Sequence, residues 1–117
     1  MKNTEILKKN YEIKRVIKQG KFYGGHYLSF FILPNHENKN LICFVVTKKT
    51  GNSVIRNRIK RKLRENYRKI EGNISFGYSI VIIWKKTADA EYATFENIKN
   101  DFNYILKKAG IFIWKNF

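Results

Sequence analysis

Three stretches of the chain repeat apolar residues every three to four positions, and three others carry them almost without interruption. In the first periodic stretch, Leu7, Ile13, Val16 and Ile17 predict one side of a helix with Thr4 as its cap and Gly20 as its stop. Lys21 to Gly25 reads as a glycine-rich connection. Tyr27 to Leu33 predicts a strand closed by Pro34 and Asn35, and Leu41 to Thr47 a second, apolar enough to lie centrally in a sheet. Their closeness along the chain predicts an antiparallel hairpin.

Ile55, Ile59, Leu63, Asn66 and Ile70 form the next periodic face, with Asn52 or Ser53 as the cap and Gly72 to Gly77 as the end. Tyr78 to Trp84 predicts a third strand. After Asp89, the stripe Phe95, Ile98, Phe102, Ile105 and Leu106 predicts a last amphipathic helix stopped by Gly110. Ile111 to Phe117 fits either a short strand or a packed tail. This order of elements predicts an α+β domain spanning residues 1–117, with one sheet and helices over one face. The opposite face, or a cleft beside the first helix, is then free for a ligand.

Charge decides what kind of ligand. Residues 56–68 read Arg-Asn-Arg-Ile-Lys-Arg-Lys-Leu-Arg-Glu-Asn-Tyr-Arg, with Glu65 alone acidic. At roughly 100° per residue, Asn57, Lys60, Arg61, Arg64 and Arg68 gather on the face opposite the apolar stripe. A solvated helix mixes signs at i and i+4, whereas these charges mostly repel. Such a face calls for a polyanion. The whole chain agrees: 24 Lys and Arg against 9 Asp and Glu give a net charge of +15 over 117 residues. At 44% hydrophobic and 15% aromatic, the sequence is not that of a disordered basic tail.

The apolar runs are too short to span a bilayer, and the polar start of the chain lacks the apolar core of a signal peptide. Cys43, the lone cysteine, excludes an internal disulfide and predicts a buried, inert thiol. Together these features predict a soluble protein of the reducing cytoplasm.

A protein nuclease needs clustered carboxylates for metals or a histidine pair for proton transfer. Here the acidic residues are scattered, and His26 and His36 have no Cys or Asp at ligand spacing. The polypeptide is therefore expected to hold nucleic acid with no catalytic residues and no metal site of its own. Phe30 and Phe31 are adjacent on one strand and must point to opposite faces. One belongs to the core, and the other is free to stack on an unpaired base. Tyr11, Phe22 and Tyr23 are weaker candidates for the same role.

The run Lys48-Lys49-x-Gly51-Asn52-x-Val54-x-Arg56-Asn57-Arg58-x-Lys60-Arg61-x-x-Arg64 resembles the signature of the protein subunit of bacterial ribonuclease P. The likeness extends from the first helix, Leu7 through Gly20, to the last. It implies a two-layer α/β sandwich, with helices on one face of a mixed sheet of about four strands. It also implies a left-handed βαβ crossover around the basic helix, where the general rule gives the opposite hand. The activity implied is that of an endoribonuclease whose catalyst is an RNA with Mg²⁺ held mainly by that RNA and the substrate. The complex removes the 5′ leader of precursor tRNA by hydrolysis.

By the same resemblance, Lys48, Lys49, Arg58, Arg61, Arg64 and Arg68 contact the catalytic RNA. Ile13, Ile17 and Phe31, edged by Arg56, Asn57 and Lys60, form a cleft for the single-stranded leader. The chain departs from the family pattern at Ile13 and Ile17, where phenylalanine is common, and mildly at Thr47 and Ser53. Composition alone also suits a ribosomal or other structured-RNA-binding protein with no role in cleavage. A DNA-binding regulator fits less well, because strands rather than helices flank the basic segment.

Overall fold

Tyr78–Trp84, apolar almost throughout and buried on both sides, takes the centre of a five-stranded mixed sheet. In this computed structural model, which describes residues 4–113, the elements are β1 (Thr4–Ile6), α1 (Asn10–Gln19), β2 (Lys21–Gly24), β3 (Leu28–Pro34) and β4 (Asn40–Val45). They continue with α2 (Ser53–Ile70), β5 (Tyr78–Trp84) and α3 (Phe95–Ala109), with short 3₁₀ turns at Glu71–Asn73 and Ala90–Tyr92. The strand order is β1-β4-β5-β3-β2. β4 runs parallel to both β1 and β5, while β3 is antiparallel to both β5 and β2.

Several expectations change. β3 and β4 do not form a hairpin, because β5 lies between them and takes the ladder bonds of both. The glycine-rich connection is largely strand β2, whose Lys21 to Gly24 pair with Ser29 to Ile32. Thr4 caps no helix. It lies in β1, where its buried hydroxyl shares a 2.7 Å hydrogen bond with that of Tyr67, and α1 begins only after Lys9, with no side-chain cap. Phe95, expected in a buried stripe, is 42% exposed, and Thr94 caps α3 instead by accepting from the Asn97 N–H. Phe112 forms an isolated antiparallel bridge with Ile74, while residues 114–117 of the undecided tail lie outside those described.

Strand alternation sorts the apolar residues into two layers. Phe30, Ile32, Ile42, Phe44, Ile80, Ile82 and Trp84 face α2 and α3 and make the main core with Ile59, Leu63, Ile98, Phe102 and Ile105. Phe31, Leu33, Leu41, Cys43, Val45, Val81 and Ile83 face the other way, towards Leu7 and the Ile13 and Val16 side of α1. The two long helices thus share one face as expected, but the sheet has five strands rather than about four and the helices are not all on that face. The short α1 lies on the other and only partly covers it.

One carboxylate fastens the open end of the molecule. Asp101, buried on α3, accepts from the N–H groups of His26, Tyr27 and Leu28 at 3.1, 2.7 and 2.9 Å. Gly25 makes this approach possible, since a Cβ there would lie 2.7 Å from the Asp101 carboxyl carbon. Tyr27 is then stacked between Trp84 and Tyr92, each ring 5.7 Å away. Hydrogen bonds to a charged group contribute about 1.5–3 kcal/mol. Asp101→Ala leaves three N–H groups to find other partners and should lower stability by about 3 kcal/mol. Urea unfolding checks this, and Asp101→Asn, which keeps one acceptor oxygen, should lose less.

Candidate nucleic-acid interface

The basic helix starts where the Asn52 side chain accepts from the Ile55 N–H at 3.0 Å. Gly51 lets the preceding turn close against Ile55, where a Cβ would come within 3.0–3.1 Å of that side chain. The first turn of α2 holds no acidic residue, so the positive end of the helix dipole adds to Arg56 and Arg58 rather than being offset. Ile59, Leu63, Asn66 and Tyr67 are buried, with Ile55 and Ile70 partly so. That burial fixes the rotation of the helix, and with it the direction of every cation.

Three groups result. Lys48, Lys49, Asn57, Arg58, Arg61 and Arg68 are exposed on the turn and the outer face, and Arg61 is offset only by a 3.8 Å surface pair with Glu65. Arg56, Lys60 and Arg64, spaced four apart, are half-buried along one flank. Tyr67 continues that flank and reaches Thr4, so the flank lies toward the β1–β4 edge of the sheet. Lys62 and Lys69 turn the other way: Lys62 donates to the Ala93 carbonyl at 2.9 Å, and the Lys69 ammonium lies 5.4 Å from the Phe95 ring centroid. The geometry therefore sets Arg64 beside Arg56 and Lys60, and Asn57 with the outward group. The run of charges gave no signal that Lys62 and Lys69 hold α3.

The sheet face opposite α2 and α3 offers an apolar floor. Cys43, Val81, Phe31 and Phe22 form one row across β4, β5, β3 and β2, and Val45, Ile83 and Ser29 form the next. Phe31, Cys43, Val45 and Ile83 are only half-buried, because α1 packs over β3 and β5, seals Val81 between them and leaves its neighbours partly open. From α1, Ile13 is half-buried against this layer while Ile17 is 38% exposed. Phe30 is the inward member of its pair, edge-on to Phe102. Of the weaker candidates, Tyr11 and Phe22 are exposed, whereas Tyr23 packs on the main core.

Cys43 corrects the expectation of a fully buried thiol. It is free and half-buried in the floor. Partial burial pushes its pKa up, with the Lys60 charge pulling the other way. Among the described residues, no group of three or more His, Cys, Asp or Glu could hold a metal ion, and no helix is long and apolar enough to cross a membrane.

A cation-rich helix and a half-covered apolar sheet face define a small, basic α+β protein. The comparisons say which one. The Ribonuclease P family profile matches residues 1–110. The ribonuclease P protein component of Natranaerobius thermophilus is 38% identical over 111 residues, covering 95% of each chain. That of Clostridium botulinum strain Langeland is 39% identical over 114 residues, covering 96% of this chain and 99% of the relative. Among solved structures, the RNase P protein of Thermotoga maritima superposes with a TM-score of 0.79 at 27% identity, over 89% of this chain and 96% of that one. The Staphylococcus aureus RNase P protein gives 0.74 at 28%, over 92% and 96%. The chain belongs to the ribonuclease P protein component family, subunits of the ribonucleoprotein endoribonuclease that processes tRNA 5′ ends.

Because its thiolate is disfavoured, Cys43 should react with iodoacetamide more slowly in the folded protein than in urea. Its rate should still be climbing at pH values where the same thiol in urea has levelled off. Mass spectrometry of the alkylated peptide measures both. A folded-state profile matching that of free cysteine would place the thiol in open solvent.

Proposed function

We propose that this subunit works in the cytoplasm by holding precursor tRNA through its single-stranded 5′ leader while the RNA component carries out hydrolysis. The observation that supports this most directly is the half-open floor around Phe31, in a chain whose basic helix keeps Arg56, Lys60 and Arg64 half-buried along one flank. A single strand can lay bases on the floor and phosphates along the flank, whereas a duplex turns its bases inward. Double-stranded DNA therefore offers this site nothing to stack. Ile13 and Ile17 close the α1 side with apolar contact in place of rings. Mature tRNA lacks the leader, so this site contributes affinity to the precursor alone.

The outward group, Lys48, Lys49, Arg58, Arg61 and Arg68, meets phosphates of the catalytic RNA. Arg64, at the boundary of the two groups, serves either strand. Mg²⁺ belongs to the RNA component and the substrate, where it supplies the chemistry of hydrolysis. Acidic groups of the protein have other work: Asp101 binds backbone N–H groups, Glu5 pairs with Lys39, and Glu65 lies near Arg61.

Affinity for the catalytic RNA should fall steeply with salt, since many cations each release a counterion. Arg61→Ala should reduce the slope of log K against log salt by roughly one unit. On the assembled particle, Phe31→Ala should weaken binding of leader-bearing tRNA by up to about a hundredfold. Affinity for mature tRNA and for the catalytic RNA should hold, with circular dichroism confirming the fold. Equal loss for both tRNA forms would place the leader elsewhere.

A further inference from the structure

We propose that Phe22 is a second stacking residue of the leader site, taking the base that follows the one on Phe31; this rests on the reading of Phe31 given above. An exposed phenylalanine alone is ordinary. Phe22, 55% exposed, differs in where it stands. It lies directly opposite Phe31 in the β2–β3 register, so the two rings project from the same face of the sheet. Their centroids are 5.4 Å apart and their planes meet at 60°. Two residues further along β2, on the same face, is Gly24. A Cβ at that position would lie 3.3 Å from two atoms of the Phe22 ring. The absence of a side chain lets the ring lean along its own strand and keep its outer side open.

The row Cys43, Val81, Phe31, Phe22 gives the pair a direction. It runs from Cys43 on β4 to Phe22 on the outermost strand, and with strands about 4.8 Å apart it spans roughly 14 Å. Val81 is fully buried, so a strand lying along the row from the β4 side finds ring surface first at Phe31 and next at Phe22. Stacking accepts any base, so two adjacent rings hold two successive bases with little regard to sequence. β2 is the last strand on this side. Phe22 therefore marks the outer limit of the sheet's grip on the leader, and it supplies there a ring that Ile13 and Ile17 of α1 do not.

The test is a series of precursor tRNAs with leaders lengthened one nucleotide at a time, bound to the assembled particle. With the unaltered protein, affinity should climb with length through two stacking steps and then level off. Phe22→Ala should level off one step earlier, about five- to hundredfold weaker for long leaders, and match the unaltered protein for leaders that end at Phe31. Phe22→Leu keeps apolar contact with Phe31 but offers no ring, and should behave like the alanine variant. Phe22→Tyr should restore the second step. Unchanged binding by Phe22→Ala at every length, with Phe31→Ala still impaired, overturns the role of Phe22 and leaves the Phe31 site standing. If Phe31→Ala is also without effect, both fall. Loss at short leaders as well as long would mean that Phe22 only props Phe31, and would equally overturn the second step.

Discussion

Burial of one side of α2 holds a line of like charges in fixed directions, and the interface depends on it. Each like-charge pair at i,i+4 costs about 0.2–0.5 kcal/mol. Burying a side chain such as Leu63 or Ile59 contributes about 1.5–3 kcal/mol. The core term wins, so the helix persists without its polyanion and presents the charges already arranged. Arg56, Lys60 and Arg64 could not line a cleft if the helix turned freely. The Tyr67–Thr4 hydrogen bond and the Ile59–Leu63 contacts settle that rotation.

The same division into buried and open surface runs through the sheet. Its α2–α3 face is sealed by aromatics and branched residues, edge-on at Phe30–Phe102 and stacked at Tyr27–Trp84. Its other face carries one short helix, too small to cover five strands. That shortfall is what leaves Phe31 and its neighbours half-open. On this side, stability comes from Leu7, Val16 and the fully buried Val81, and the half-open positions around them are available for a ligand.

Long periodic elements could be read from the sequence because many residues repeat one signal. α2, β5 and α3 stood out in this way, as did the position of Asn52 at the start of the basic helix. β1 has three residues and β2 four, too few for an alternation to rise above its surroundings. The expected hairpin failed for a different reason: β5, apolar on both sides, has the strongest claim on the centre and displaces the sequential pairing. At the site, the charge run was legible, but the flank assigned to each cation was not, since that needs the helix's rotation against the sheet. Alternation said that Phe30 and Phe31 part ways; only Phe102, more than seventy residues away in the chain, decides which goes inward.

A strand order in which β5 separates β3 from β4 also governs how the chain can fold as it leaves the ribosome. The β2–β3 ribbon and the β1–β4 pair have no ladder bonds to each other until residues 78–84 arrive. Closing such distant pairings carries a loop entropy that only the finished sheet repays. Until then the emerging polypeptide is two unconnected β fragments with a cationic segment between them and their missing keystone. The strand order therefore requires the cationic segment to be made before the strand that joins the two halves of the sheet.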